Sequence, residues 1–150
     1  MSEEITDELM GIELSDRRLD RRSALVLQAL ADNPQASINA ACGGWAETNA
    51  AYRFFDNPQV TPEKILEPHR QATVRRMQQH PVVIVAQDTT ELDLSDHPPA
   101  DARCLNRENR FGVYQHVHLA LTPDKLPLGV VGSVYFDRDP HTLGKTMSFA

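Results

Sequence analysis

Asp88 is the residue of this chain best placed to do chemistry. It follows Val82, Val83, Ile84, Val85 and Ala86, a continuous apolar and mostly β-branched run, and precedes Thr89 and Thr90. Such a run predicts a strand buried on both faces. A carboxylate at its polar exit is held by a rigid element, the setting a metal ligand needs. The plainer alternative is an Asp that caps a turn. Glu91, Asp93 and Asp96 are close in sequence, but strand alternation puts Glu91 and Asp93 on the face opposite Asp88. Local sequence therefore leaves a two-metal cluster incomplete.

Two further groups have chemical potential. His116 and His118 are two apart on an expected strand, share a face, and have the residue type of metal ligands, although third and fourth ligands are missing. Otherwise they are polar positions beside a sheet or a groove. Arg17, Arg18, Arg21 and Arg22 form a dense cationic run in which Arg18 and Arg22, and likewise Arg17 and Arg21, share a helix face. Such a run either contacts phosphates or is a solvated helix face, and Asp16 and Asp20 dilute it.

The elements that position these residues follow from punctuation and periodicity. Ser15 reads as the cap of a first helix, with Asp16 suited to the positive end of its dipole. Leu19, Val26 and Leu30 make its apolar stripe, and Asp32-Asn33-Pro34 ends it. A short helix from about Ser37 ends at Gly43-Gly44. A third runs from Trp45 to Phe55 with Ala51, Phe54 and Phe55 as its apolar face. Thr61-Pro62-Glu63 opens a fourth, which Pro68 should kink or divide before it ends at His80-Pro81. From Pro81 the pattern turns to strands over 82–94, 114–121 and 128–136, the last two an antiparallel hairpin around Thr122-Pro123-Asp124-Lys125. Residues 95–110 read as a polar connection, and the last ten carry no strong pattern. The expected organisation is an acidic leader over 1–13, a helical domain over 14–80 and a strand-rich domain over 81–150.

Composition narrows the class. At 41% hydrophobic and 24% charged residues, the 150-residue chain reads as globular. No apolar stretch approaches the roughly 18 residues that span a bilayer. The acidic N-terminus does not have the form of a signal peptide, so a cytoplasmic location is expected, without a membrane partner. Cys42 and Cys104 have no metal-binding spacing and read as reduced thiols. The net charge of −6 argues against a uniformly basic nucleic-acid binder. However, residues 14–80 carry nine Lys and Arg against seven Asp and Glu, so positive potential gathers in the middle of the chain.

Taken in order, several segments resemble the N-terminal part of bacterial cut-and-paste transposases of the transposon-five type, in the insertion-sequence-four family. They are Leu14-Ser15-Asp16-Arg17-Arg18-Leu19 with Arg22, then Ala50-Ala51-Tyr52-Arg53-Phe54-Phe55 with Asn57-Pro58, then Asp88-Thr89-Thr90. Val113-Tyr114-Gln115-His116-Val117-His118 and Leu128-Gly129-Val130 also fit. The resemblance covers residues 14 to 138. Ser15 departs from it where Gly is usual, and Gln87 where Glu is frequent.

The resemblance implies an α+β fold, with a helical DNA-binding domain followed by the first three strands of an RNase H-like mixed sheet that is incomplete at the C-terminus. It implies that Arg18 and Arg22, with Arg17 and Arg21 beside them, contact double-stranded DNA at transposon ends. It also implies that Asp88, with Thr89 nearby, is the first Asp of an Asp-Asp-Glu triad holding Mg²⁺ or Mn²⁺ for phosphodiester cleavage and strand transfer. The second Asp and the Glu are not identified in this chain. Asp137 and Asp139 follow the third strand directly and are not assigned those roles. The expectation is a partial transposase, nucleoid-associated, inactive alone and with weak metal binding or none. It forms a homodimer or pairs with a full-length transposase. The alternatives are a regulator of a full-length transposase and an unrelated hydrolase using Asp88, His116 and His118.

Overall fold

The computed structural model describes residues 8–100, 102–106 and 109–137. The chain divides into two compact units, Met1–Gln78 and Gln79–Ala150. Helices form the first and an antiparallel sheet the second, so the fold class is α+β.

The first unit contains α1 (Arg17–Asp32), α2 (Ile38–Cys42), α3 (Trp45–Phe55) and α4 (Pro62–Met77). The start of α1 corrects the sequence reading. Asp16, not Ser15, is the cap, and its carboxylate accepts the N–H of Arg18 at 2.8 Å. Ser15 has a φ of 74°, a left-handed conformation that strains a side-chain-bearing residue. That explains why Gly is usual here in the proteins the chain resembles. The turn aims Leu14 inward, where it is completely buried, and its N–H donates to Asp20 Oδ1 at 2.8 Å.

Leu14, Val26, Ala51 and Phe54 form the buried centre, with Leu19, Leu30, Ile38, Cys42, Val60 and Ile65 packed around it. The stripe read on α1 is thus its core face. Ser37 Oγ accepts the N–H of Ala40 to start α2, and Gly43 ends it at a φ of 71°. On α3 the apolar face is narrower than expected: Ala51 and Phe54 are buried, whereas Phe55 stays exposed and meets Phe54 edge-on at 5.4 Å. Thr61 caps α4 with Pro62 at its first position. The expected break at Pro68 does not occur, and the helix continues to Met77. Proline there removes one ladder bond, but its ring is buried and that burial offsets the loss.

The segment read as a separate leader joins this unit from Glu8 onward. Leu9 is buried and Ile12 packs against the core. Glu8 Oε2 lies 2.5 Å from His69 Nδ1, and Arg76 Nη1 donates to Glu8 Oε1 at 2.6 Å, which ties residue 8 to α4.

The second unit contains β1 (Ile84–Asp93), β2 (Arg103–Cys104), β3 (Phe111–Leu121) and β4 (Pro127–Phe136). β3 is central: β1 pairs with it along one edge, and β2, at the start of β3, and β4, along the rest, each pair with it directly, all antiparallel. β2 lies in the stretch read as a connection; two residues paired to Phe111 and Gly112 are too few to leave a periodic signal. All pairings among the described residues are antiparallel. Lys125, at a φ of 67°, closes the β3–β4 turn, where Thr122 and Leu126 pair through their backbones.

β1 contradicts the expectation of burial on both faces. Ile84 through Thr90 are all exposed, and among the described residues the strand has a single neighbour, β3. Its β-branched residues favour an extended backbone, and that preference acts whether or not the strand is covered. No helix among the described residues is long and apolar enough to cross a membrane. The last ten residues and Asp139 lie outside the described residues.

Ser15→Gly is expected to stabilise the helical unit by about 1 kcal/mol by relieving the left-handed strain, whereas Ser15→Val destabilises it; thermal unfolding reads both. Burial alone would raise the Glu8 carboxyl, but hydrogen bonds from Arg76 and His69, and their charges, hold it below its usual value of 4.5. A carboxyl depressed on folding stabilises the fold above its unfolded pKa, and that stability is lost as pH falls through the folded value. Glu8→Gln should therefore cost about 1 kcal/mol at neutral pH and progressively less as pH falls below 4.5 and through the lower folded value, by urea unfolding across pH.

Candidate nucleic-acid interface

Helix starts and spacing build the interface. The Asp16 cap fixes the first turn of α1, and from there Arg18 and Arg22 project one turn apart along a single face. On α3, Trp45, Asn49 and Arg53 recur at i, i+4 and i+8, flanking the buried positions Ala51 and Phe54. These two rows line a groove of about 670 Å³, together with Asp16, Leu19 and Asn57.

Charge in the groove is predominantly positive. Among the described residues, none of Arg18, Arg22 and Arg53 takes part in an ion pair. The two acids that dilute the run in sequence are occupied by backbone: Asp16 accepts from Arg18 N and Asp20 from Leu14 N. Their carboxylates order the helix start rather than neutralise guanidinium groups. Asn49 Nδ2 donates to the carbonyl of Trp45 at 3.0 Å, leaving its side-chain oxygen as an acceptor in the groove. Arg17 and Arg21 are exposed and do not line it.

Arg53 is the residue that sequence reading passed over. Phe54 and Phe55 beside it read as part of the apolar face, yet its spacing from Trp45 and Asn49 is helical and marks a shared polar face. That stripe was the available signal.

On the sheet, register decides which candidates meet. Asp88 pairs with Val117, whereas Thr89 pairs with His116 and Gln87 with His118. Residues directly opposite share a face, so Asp88 stands on one side of the sheet and both histidines on the other. The trio required by the hydrolase alternative does not converge. His116 Nδ1 lies 2.6 Å from Thr89 Oγ1, and the His116 and His118 rings meet edge-on at 5.1 Å. A Cβ at Gly132 would come within 2.7 Å of His118 Nδ1, so glycine makes room for that ring.

The other acids of β1 are engaged. Arg110 binds Glu91 at 2.8 Å and Asp93 at 2.9 Å, and Asn106 and Tyr114 also donate to Glu91. Ser95, through its hydroxyl and its backbone N–H, and then Arg110, hold the Asp93 carboxyl down at about 2. Asp88 is exposed, and its Oδ1 accepts the N–H of Thr89 at 2.8 Å. Its face carries Thr90 from β1, Gln115 and Val117 from β3 and Ser133 from β4, with no second carboxylate among the described residues. Among the described residues no three His, Cys, Asp or Glu side chains are grouped to hold a metal ion. A lone carboxylate does not fit a centre for two divalent ions, which needs several converging oxygens.

Residues 1–60 match the family model described as transposase DNA-binding. The match spans α1, α2 and α3 and therefore the whole groove. It supports a transposase N-terminal region with DNA as its partner. No match to a curated protein was found.

Proposed function

We propose that the chain binds transposon-end DNA through the groove between α1 and α3, and that its sheet begins an RNase H-like catalytic domain in which Asp88 is the first carboxylate of an Asp-Asp-Glu triad. The observation that carries the DNA reading is the set of three arginines, free of ion pairs among the described residues, lining one groove inside the segment that matches transposase DNA-binding. Arginine forks suit phosphate oxygens and orient a duplex, and their release of counterions makes binding steeply salt-dependent. Arg18 and Arg22 lie on the groove; Arg17 and Arg21 add long-range attraction from outside it.

The catalytic reading rests on the placement of Asp88 within β1, with one edge of that strand unpaired among the described residues. A second carboxylate could be brought beside Asp88 by a strand added along that edge. Among the described residues Asp88 is the one carboxylate on its face of the sheet, and this supports the reading that the chain alone is inactive in cleavage.

Gel shifts against the terminal repeats of the encoding element and against a mixed-sequence duplex test the first part. Arg18→Ala and Arg22→Ala should each weaken binding about tenfold and reduce the slope of log affinity against log salt by about 1. Unchanged affinity in both would remove the groove as the DNA site. For the second part, the nuclease-free chain with Mg²⁺ or Mn²⁺ should leave end-bearing plasmid uncut; cleavage abolished by Asp88→Asn would overturn the proposed inactivity.

A further inference from the structure

Trp45 is the one tryptophan of the chain, and 82% of it is exposed. An indole ring is among the largest apolar surfaces a chain can bury, so leaving it in water forgoes considerable hydrophobic stabilisation. Its own helix gives no reason for the choice. Trp45 is the first residue of α3; Gly44 caps that helix without a side chain, and the buried positions of α3 are Thr48, Ala51 and Phe54. None of the ring contacts among the described residues involves it. What Trp45 does share is the groove, where it stands one and two turns before Asn49 and Arg53 and faces Arg18 and Arg22 across the cleft.

We infer that Trp45 is a direct aromatic contact to the DNA, packing on a base face or a deoxyribose ring while the arginines hold the phosphates. This rests on the reading of the groove as a DNA site and adds to it a contact of different physics. Arginine–phosphate pairs are electrostatic, carry no sequence information directly and weaken with salt. Aromatic stacking or wedging is apolar, nearly independent of salt, and responds to unpaired or deformable base steps. A rigid ring at the end of a cationic groove meets whatever apolar surface the nucleic acid presents between its phosphates. The positive charge of the groove favours nucleic acid over an apolar protein segment as the occupant.

A single tryptophan makes the test direct, because all indole emission of the full chain comes from Trp45. Titration with a mixed-sequence duplex at low salt should quench that emission. Trp45→Ala should weaken binding by roughly 5- to 100-fold with the salt slope unchanged, and Trp45→Phe should recover most of the affinity. A duplex with unpaired terminal nucleotides should quench more than a blunt one if the ring meets a base face, and equally if it meets deoxyribose. Duplex binding with unaltered emission, and with equal affinity for Trp45→Ala, would overturn the inference while leaving the groove as the DNA site. Absence of duplex binding by the unaltered chain would overturn the groove reading and this one with it. An emission change on concentrating the chain without DNA, with self-association in ultracentrifugation and no quenching by duplex, would assign the ring to a protein contact instead. Ring exposure makes loss of folding in Trp45→Ala unexpected, and far-UV circular dichroism checks it.

Discussion

The groove exists because Ala51 is completely buried and small. With only a methyl group there, α3 packs into one buried cluster with Leu14 and Val26, and Phe54 completes it. The constraint is severe, since that packing draws Arg18, Arg22 and Arg53 to a single cleft. Like charges at a solvated surface repel by about 1 kcal/mol per close pair and less in salt. Burial of each large core side chain contributes roughly 1.5–3 kcal/mol. The core therefore wins, and the helical unit can carry a local excess of positive charge. Asp16 and Asp20 help by stabilising the start of α1 from within the same segment. A larger residue at position 51 would spread the helices and separate the arginine rows.

Helix existence was legible because each boundary has its own chemistry. Asp32-Asn33-Pro34, Ser37, Gly43-Gly44 and Thr61-Pro62 all mark ends that the structure places within a residue or two. The errors came where tertiary structure outvotes local preference. Ser15 looked like a cap because serine is good at capping, but the chain must turn left-handed there to bury Leu14, and the capping role passes to Asp16. Pro68 looked like a break, yet a buried ring can hold a helix together across one missing hydrogen bond. Glu8 looked like part of a detached acidic leader because its partners, His69 and Arg76, are about sixty residues away and no local pattern predicts them.

Site residues were legible to the same degree and for the same reason. The i, i+4 spacing of Arg18 and Arg22 is a local property, and the groove keeps them together. Arg53 belongs to another helix, hidden among aromatic residues, and becomes a neighbour of those arginines through packing alone. On the sheet, alternation places Glu91 and Asp93 away from Asp88, as read from sequence, but it also separates Asp88 from His116 and His118. That could not be seen without the register between β1 and β3. The VVIVA run illustrates the remaining gap: residue type reports an extended backbone strongly and burial weakly.

The two faces of β1 differ in how their polar groups are satisfied, and the difference bears on what Asp88 is for. On one face Thr89 meets His116, and Glu91 and Asp93 are bound by Arg110, Asn106, Tyr114 and Ser95. That side is internally complete, and its acids serve to hold the β1 end to the start of β3. On the other face Asp88 accepts the N–H of the next residue and, among the described residues, has no cationic partner. A strand that pairs Glu91 and Asp93 with Arg110 but leaves Asp88 without a cation has kept one negative charge unspent. On an edge strand a charge also discourages pairing with other chains, so the proposal for Asp88 rests on its place in β1 and not on its charge alone. An exposed carboxylate without a cationic partner stays open to a cation whose remaining ligands come from elsewhere, which is the role proposed for Asp88.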